Sequence, residues 1–290
     1  MLGSALHQAL AAPNRPTLQL VRRPAASPQQ IQWDPAALRP VADLAALESL
    51  TAAVHFSGAN VAAHRWTPAY KREIGESRIQ STRVLATALA SLRNPPHVLL
   101  AASATGFYGN RTDQILDEAS DRGSGFLAEL CEQWEAAAHP AIAAGIRVIN
   151  LRFGVVLGPG PGALAKMLPI FRLGLGGPLG SGRQWMSWIS LQDAVAAILF
   201  LLETPSLTGP VNLTAPNPVT NAGFTRALGR TVHRPAIFPA PAFALRLALG
   251  EMADEALLSS ARVYPVKLTS AGFRFTHPFI AQGLAAALIK

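Results

Sequence analysis

The chain has 290 residues, half of them hydrophobic, with 23 glycines, 23 prolines and only 14% charged residues, which excludes a disordered or fibrous chain and suffices for one large domain or a domain with an appended lobe. The net charge of +8 is carried by arginines scattered along the chain, without the basic run that tracks nucleic acid. The single cysteine, Cys131, excludes internal disulfides and thiolate metal clusters, and no apolar run reaches the ~18 residues of a membrane span.

The opening MLGSALHQAL places Leu2, Ala5, Leu6, Ala9 and Leu10 on one helical face; it has no basic front, and His7 and Gln8 interrupt it, which argues against a signal peptide. TLQLV predicts a strand over 17–21 that ends at Arg22 and Arg23, and residues 30–33 a short strand ending at Asp34. AAVHFS (52–57) is a strand that stops at Gly58. A helix is predicted over about 68–92, with proline in its first turn. HVLLAAS (97–103) and RVINLRF (147–153) are continuous apolar strands of the kind found in parallel sheets covered on both faces. Between them a helix is expected over about 125–144, and after them another over 190–203. Strand–helix alternation of this kind indicates an α/β fold, a Rossmann-like doubly wound parallel sheet. Beyond Gly158 glycine loops and proline-flanked helices suggest a smaller packed α/β lobe. The expected division is 1–158 for the nucleotide-binding domain and 159–290 mainly for a substrate lobe.

In open α/β sheets, ligands bind beyond the carboxyl ends of the strands. After TLQLV come Arg22 and Arg23 with no acid; arginines there suit the 2′-phosphate of NADP, where an acid would suit the ribose of NAD, and the competing reading is a solvated basic turn. Gly58 permits close approach of the backbone to a ligand. After HVLLAAS, the hydroxyls of Ser103 and Tyr108 are expected to project into the cleft, where either could hydrogen-bond a substrate carbonyl; a strand-end cap is the alternative for Ser103.

LLAASATGFYG, LRFGVVLGPG, GSGRQWMSWISLQDAV and PVNLTAPNPVT, in that order, resemble the extended short-chain dehydrogenase/reductases. HFSGANVAAHRWTPAYKREIGESRIQST, RLGLGGPLGSGRQWMSWI and FALRLALGEMADEALLSSARVYPVKL are similar to one atypical branch, the epimerase family proteins or NAD-dependent epimerase/dehydratases, sometimes labelled cell-division-inhibitor-like, whose own C-terminal segment corresponds to about 238–288. The resemblance covers essentially the whole chain. It implies a cofactor site in which Gly3 ends a phosphate loop, Arg22 and Arg23 meet the 2′-phosphate of NADP, Phe56 and Ser57 pass along the cofactor, Glu73 and Arg78 add contacts, and Val156 lines the nicotinamide end. A surface ion pair is the alternative for Glu73 and Arg78.

The chain departs from the wider superfamily in two places. Where that superfamily carries Tyr-x-x-x-Lys, this helix reads GFLAELCEQWEAAA, with Cys131 and Glu135 at the two positions. They share a helix face, but a carboxylate raises a neighbouring thiol's pKa, so the pair cannot replace an activated tyrosinate. Cys131 is expected to be a packed small residue. Ser103, Tyr108 and the Trp66/Tyr70/Lys71 segment are the substitute candidates. The second departure is the opening: the resemblance sets a strand and a G-x-x-G-x-x-G loop before Gly3, with that strand central, between those ending at Arg22 and Ser57. A start upstream of Met1 and a true truncation are the two explanations, of which the upstream start is preferred. The resulting expectation is an NADP-dependent oxidoreductase or epimerase acting on a small carbonyl or sugar-like substrate, with a catalytically inactive nucleotide-binding protein as the alternative. It is expected in the cytoplasm, with no metal, no nucleic-acid partner and no membrane association.

Overall fold

The computed structural model describes residues 1–11, 16–37 and 40–288. Helix α1 (Leu2–Leu10) is followed by β1 (Gln19–Val21), β2 (Gln30–Gln32), β3 (Ala52–His55), the long α2 (Pro68–Ala90) and β4 (Val98–Ala104). A short β5 (Ile115–Leu116), α3 (Phe126–Ala136) and α4 (His139–Ala143) lead to β6 (Arg147–Phe153) and β7 (Val155–Leu157). The remainder comprises α5 (Ala163–Arg172), β8 (Trp185–Met186), β9 (Trp188–Ser190), α6 (Leu191–Glu203), β10 (Gly209–Leu213), β11 (Val219–Thr220), α7 (Asn221–Thr231), α8 (Ala242–Leu249), β12 (Arg262–Val263), α9 (Val266–Ser270) and α10 (Ile280–Leu288).

The central sheet is parallel, in the order β10-β6-β4-β3. Its two inner strands are apolar along almost their whole length because both faces are covered. On one face, Leu85, Ala86 and Leu89 of α2 join Ala138 and Ala141 over Leu99 and Val148. On the other, Leu6 of α1 and Ala194, Ile198 and Leu201 of α6 cover Leu100, Ile149, Leu151 and Val211. Burying each such leucine or isoleucine contributes about 1.5–3 kcal/mol, so the three-layer arrangement carries most of the stability of this half. Helix starts are set locally. The Thr67 hydroxyl accepts from the Tyr70 N–H ahead of Pro68, and Ser190 does the same for Asp193.

The single helix expected over 125–144 is instead two, α3 and α4. The break comes at Ala137 and Ala138, just ahead of Pro140, which has no N–H to donate and stands in the first turn of α4. Strands β1 and β2 form their own parallel ladder, Gln19 opposite Gln30 and Val21 opposite Gln32. Among the described residues no ladder joins β1 to β3, and none supplies the further central strand that the resemblance sets between them.

The second half of the chain feeds both parts of the molecule. Helix α6 and strand β10 return to the central sheet, although both lie beyond residue 158. The lobe packs around Trp188, Phe224, Leu228 and Leu284. Gly283 of α10 lies so close to Trp188 that a Cβ there would come within 2.3 Å of the indole ring, which only glycine avoids. No helix among the described residues is long and apolar enough to cross a membrane.

Candidate functional site

The carboxyl ends of β3, β4 and β6 define one rim of the central sheet, β1 ends in its own ladder with β2, and the residues beyond these strand ends divide into two kinds. The first kind is open. Arg22 and Arg23 follow β1 directly and are exposed; among the described residues neither pairs with a carboxylate. Beyond β3, half-buried Phe56 meets Phe153 of β6 edge-on, with centroids 6.1 Å apart. Gly3, in the first turn of α1, faces the Phe56 ring, 3.9 Å from where its Cβ would stand. Val156 of β7 packs at the edge of the same apolar cluster as Phe56 and Phe153. Gly3 and Phe56 therefore lie together, and Val156 borders the same apolar cluster.

The turn after β3 is fastened to α2. The Ala59 N–H donates to the Ser77 hydroxyl (2.9 Å), and Arg78 donates to the carbonyls of Ala59 (2.9 Å) and Ile74 (3.0 Å). The Arg78 guanidinium also stands over the Trp134 ring, 5.1 Å from its centroid, and burial pulls its pKa down. A Cβ on Gly58 would come within 3.0 Å of this guanidinium, so the glycine allows the arginine to reach the turn. Ser57 lies half-buried beside it. The alternative of a Glu73–Arg78 ion pair is not what forms: Arg78 turns to the two carbonyls, while Glu73 lies on the exposed side of α2.

The second kind is closed. Ser103 and Tyr108 do not project into the cleft as expected; both are buried. The Ser103 hydroxyl donates to Glu135 Oε1 (2.6 Å). Arg152, from the end of β6, grips the same carboxylate with two hydrogen bonds of 2.8 and 2.9 Å, donates to the Tyr108 oxygen (3.0 Å), and lies 3.4 Å from the centroid of the Phe107 ring. The Tyr108 hydroxyl donates in turn to Asn212 Oδ1 (2.8 Å). The Asn212 backbone N–H donates to Glu118, and its side-chain amide to the Tyr264 carbonyl. This network joins β4, α3, β6 and β10.

The electrostatics follow from that enclosure. Burial pushes the Tyr108 phenol up to about 12 against the opposing pull of Arg152. Burial works to lower the Arg152 pKa, but Glu135 and Tyr108 outweigh it, leaving it above the ordinary arginine value. Burial, then the Glu135 charge, pushes the Cys131 thiol up to about 12. All three groups thus keep their ordinary protonation states at neutral pH. None is poised to exchange a proton.

Sequence reasoning missed Arg152, Asn212 and Glu118. The signal for Arg152 was present: an arginine inside the apolar strand RVINLRF must find a buried partner. A groove of about 880 Å³ between α2 and α3, floored by Trp66, Ile79, Phe126 and Leu130, is lined by none of the cofactor candidates, so the site is placed at the strand ends and not there.

Residues 1–213 match the NAD dependent epimerase/dehydratase family, and residues 240–287 match a domain of unknown function, DUF1731. The chain is 47% identical over its full length to epimerase family protein Mb2239 of Mycobacterium bovis, covering 95% of that protein. It is 35% identical to epimerase family protein SDR39U1 of Bos taurus, over 98% of this chain and 95% of the other. The crystal structure of human epimerase family protein SDR39U1 (isoform 2) with NADPH superposes with a TM-score of 0.90 at 32% identity, covering 99% of this chain and 95% of that one. A UDP-glucuronic acid 4-epimerase structure from Bacillus cereus, at 15% identity and a TM-score of 0.77, shares the fold. The chain belongs to the NAD dependent epimerase/dehydratase family.

Proposed function

We propose that this protein binds NADP(H) along the strand-end rim and acts as an oxidoreductase or epimerase on a small carbonyl or sugar-like substrate. The observation that carries the reading is the pair Arg22 and Arg23: exposed, free of carboxylate partners among the described residues, and placed at a strand end where an acid would select NAD. The human relative solved with NADPH supports the same choice. NADP(H), when bound, supplies hydride transfer at its nicotinamide ring. Arg22 and Arg23 would hold the 2′-phosphate. Gly3 and Gly58 leave room for close approach, Phe56, Ser57 and Val156 would flank the cofactor, and Arg78 holds the turn after β3 in shape. The Ser103–Glu135–Arg152–Tyr108 cluster fixes the floor beneath.

One observation favours a second reading, a nucleotide-binding protein without turnover: the hydroxyls of Ser103 and Tyr108 are engaged inside the fold, and the thiol at the usual tyrosine position is protonated. The experiment pairs NADPH and NADH binding, followed by cofactor fluorescence, with NADPH oxidation across a library of small aldehydes, ketones and nucleotide sugars. NADPH preference with turnover is the expected result. Tight binding without turnover on any compound establishes the second reading, and equal affinity for the two cofactors overturns the assignment of Arg22 and Arg23.

A further inference from the structure

Helix α8 buries none of its residues, although it reads AFALRLAL. Phe243 and Leu247, one turn apart and so on one face, are 73% and 78% exposed. The end of α5 and the segment before α8 add Leu173 at 73% and Ile237 at 70%, with Phe238 and Leu175 beside them. These pieces are tied together: the Phe238 N–H donates to the Gly176 carbonyl (3.0 Å), and Leu179 bridges to Ala240 just ahead of α8. With Ile170 of α5, seven of the 13 large apolar side chains exposed among the described residues therefore fall within two neighbouring segments. Exposed apolar side chains concentrated on joined segments in this way mark an interaction face.

The border of the patch is basic. Arg234 donates through Nε to the Arg172 carbonyl (3.1 Å), which sets these two exposed guanidinium-bearing residues side by side. Among the described residues neither is paired with a carboxylate. Arg246, between Phe243 and Leu247 in the helix, is paired with Asp254.

We propose that this face docks on an anionic lipid surface. Side chains that project from a short helix suit a fluid partner that closes around them, and apolar residues bordered by arginines are the composition that holds a helix in the headgroup region. Anionic headgroups complement Arg172 and Arg234, whereas a second copy would bring the same unpaired arginines against its own. This departs from the expectation of no membrane association, which rested on the want of a long apolar run; interfacial docking needs none.

The test is sedimentation of the full chain with vesicles of phosphatidylcholine alone and of phosphatidylcholine mixed with phosphatidylglycerol. Partition onto the mixed vesicles is expected to exceed that onto neutral ones by about thirtyfold, from two basic residues at the surface, and to weaken with added salt. Phe243→Ser with Leu247→Ser is expected to lower partition by about tenfold or more, and Arg172→Glu with Arg234→Glu to remove the salt-sensitive part. Both variants change exposed side chains, and an unchanged circular dichroism spectrum and melting curve show that they fold. Absence of binding to the mixed vesicles, equal binding to both kinds, or wild-type binding by the Phe243/Leu247 variant overturns the proposal. So does a concentration-dependent dimer, seen by light scattering, that this variant abolishes, because a second copy then covers the face.

Discussion

At the end of β1 two arginines stand in solvent; at the end of β6 Arg152 lies buried against Glu135, Tyr108 and the Phe107 ring. The residue type is the same and the strand position comparable, but the physical situation is opposite. A guanidinium withdrawn from water needs every partner it can find, and Arg152 has them within the fold. An exposed arginine needs none for stability, so what gives these two meaning is their place at a strand end, where the proposed function sets the cofactor. The open rim is therefore where binding is expected and the closed cluster is where folding is enforced.

The largest effect should come from breaking the closed cluster. Arg152→Met leaves the Glu135 carboxylate buried without its counter-charge, and Glu135→Met strands the guanidinium. Each is expected to cost about 3–5 kcal/mol in urea denaturation, whereas the double substitution recovers most of that loss because no buried charge remains. Tyr108→Phe, which unpairs Asn212 Oδ1 and one Arg152 N–H, should cost about 1–2 kcal/mol. If either single change at the ion pair leaves stability intact while NADPH turnover collapses, the cluster belongs to the chemistry and the division between the two regions fails.

His55 lies at the junction, as the last residue of β3. It is buried, within 3.1 Å of the Ser81 hydroxyl and edge-on to Trp33, and burial lowers its pKa from 6.5 to about 4. The unfolded chain takes up this proton first as pH falls. The contribution is thus whole above pH 6.5, is lost progressively below it, and levels off under pH 4, a change of about 3 kcal/mol. His55→Gln should flatten that part of the stability–pH curve. An unchanged slope between pH 6.5 and 4 would mean that the imidazole is not enclosed.

The open rim should respond in affinity and not in stability. Arg22→Ala with Arg23→Ala is expected to weaken NADPH binding about tenfold or more, the loss of one or two charge-assisted contacts to phosphate. NADH binding should hold, and the free energy of unfolding should change by no more than about 0.5 kcal/mol. Equal loss for both cofactors would place the arginines elsewhere than on the 2′-phosphate.

The parts of this fold that were legible are those written locally. VLLAAS and VINLRF are strands because a parallel strand covered on both faces needs an unbroken apolar run, and Thr67-Pro68 begins a helix because the cap and the fixed φ act within a few residues. That Arg22, Arg23 and Gly58 follow strand ends was legible because a strand's end is written locally. The closed cluster was not, because its contacts span the chain: Arg152 finds Glu135 17 residues away and Tyr108 finds Asn212 104 residues away. A strand end identifies Ser103, but nothing near it in sequence states that Glu135 will claim its hydroxyl. The exposure of helix α8 was not legible either, since AFALRLAL is apolar but for Arg246 and only the packed chain shows that it stays outside.

Cys131 gives the smallest expected effect and the most direct check on which region it belongs to. The resemblance sets it where the wider superfamily carries its tyrosine, so on that ground alone it is a candidate for chemistry. Its surroundings point elsewhere: the thiol is buried under Gly106 and beside Glu135, with its pKa near 12. A thiol needs thiolate character and access to react, and here both are withheld. Native protein should therefore resist a thiol-specific disulfide reagent at pH 8 over hours and react at once when unfolded, and Cys131→Ala should leave NADPH affinity unchanged. Rapid native labelling, or loss of NADPH binding in Cys131→Ala, would move this residue from the closed region to the open one.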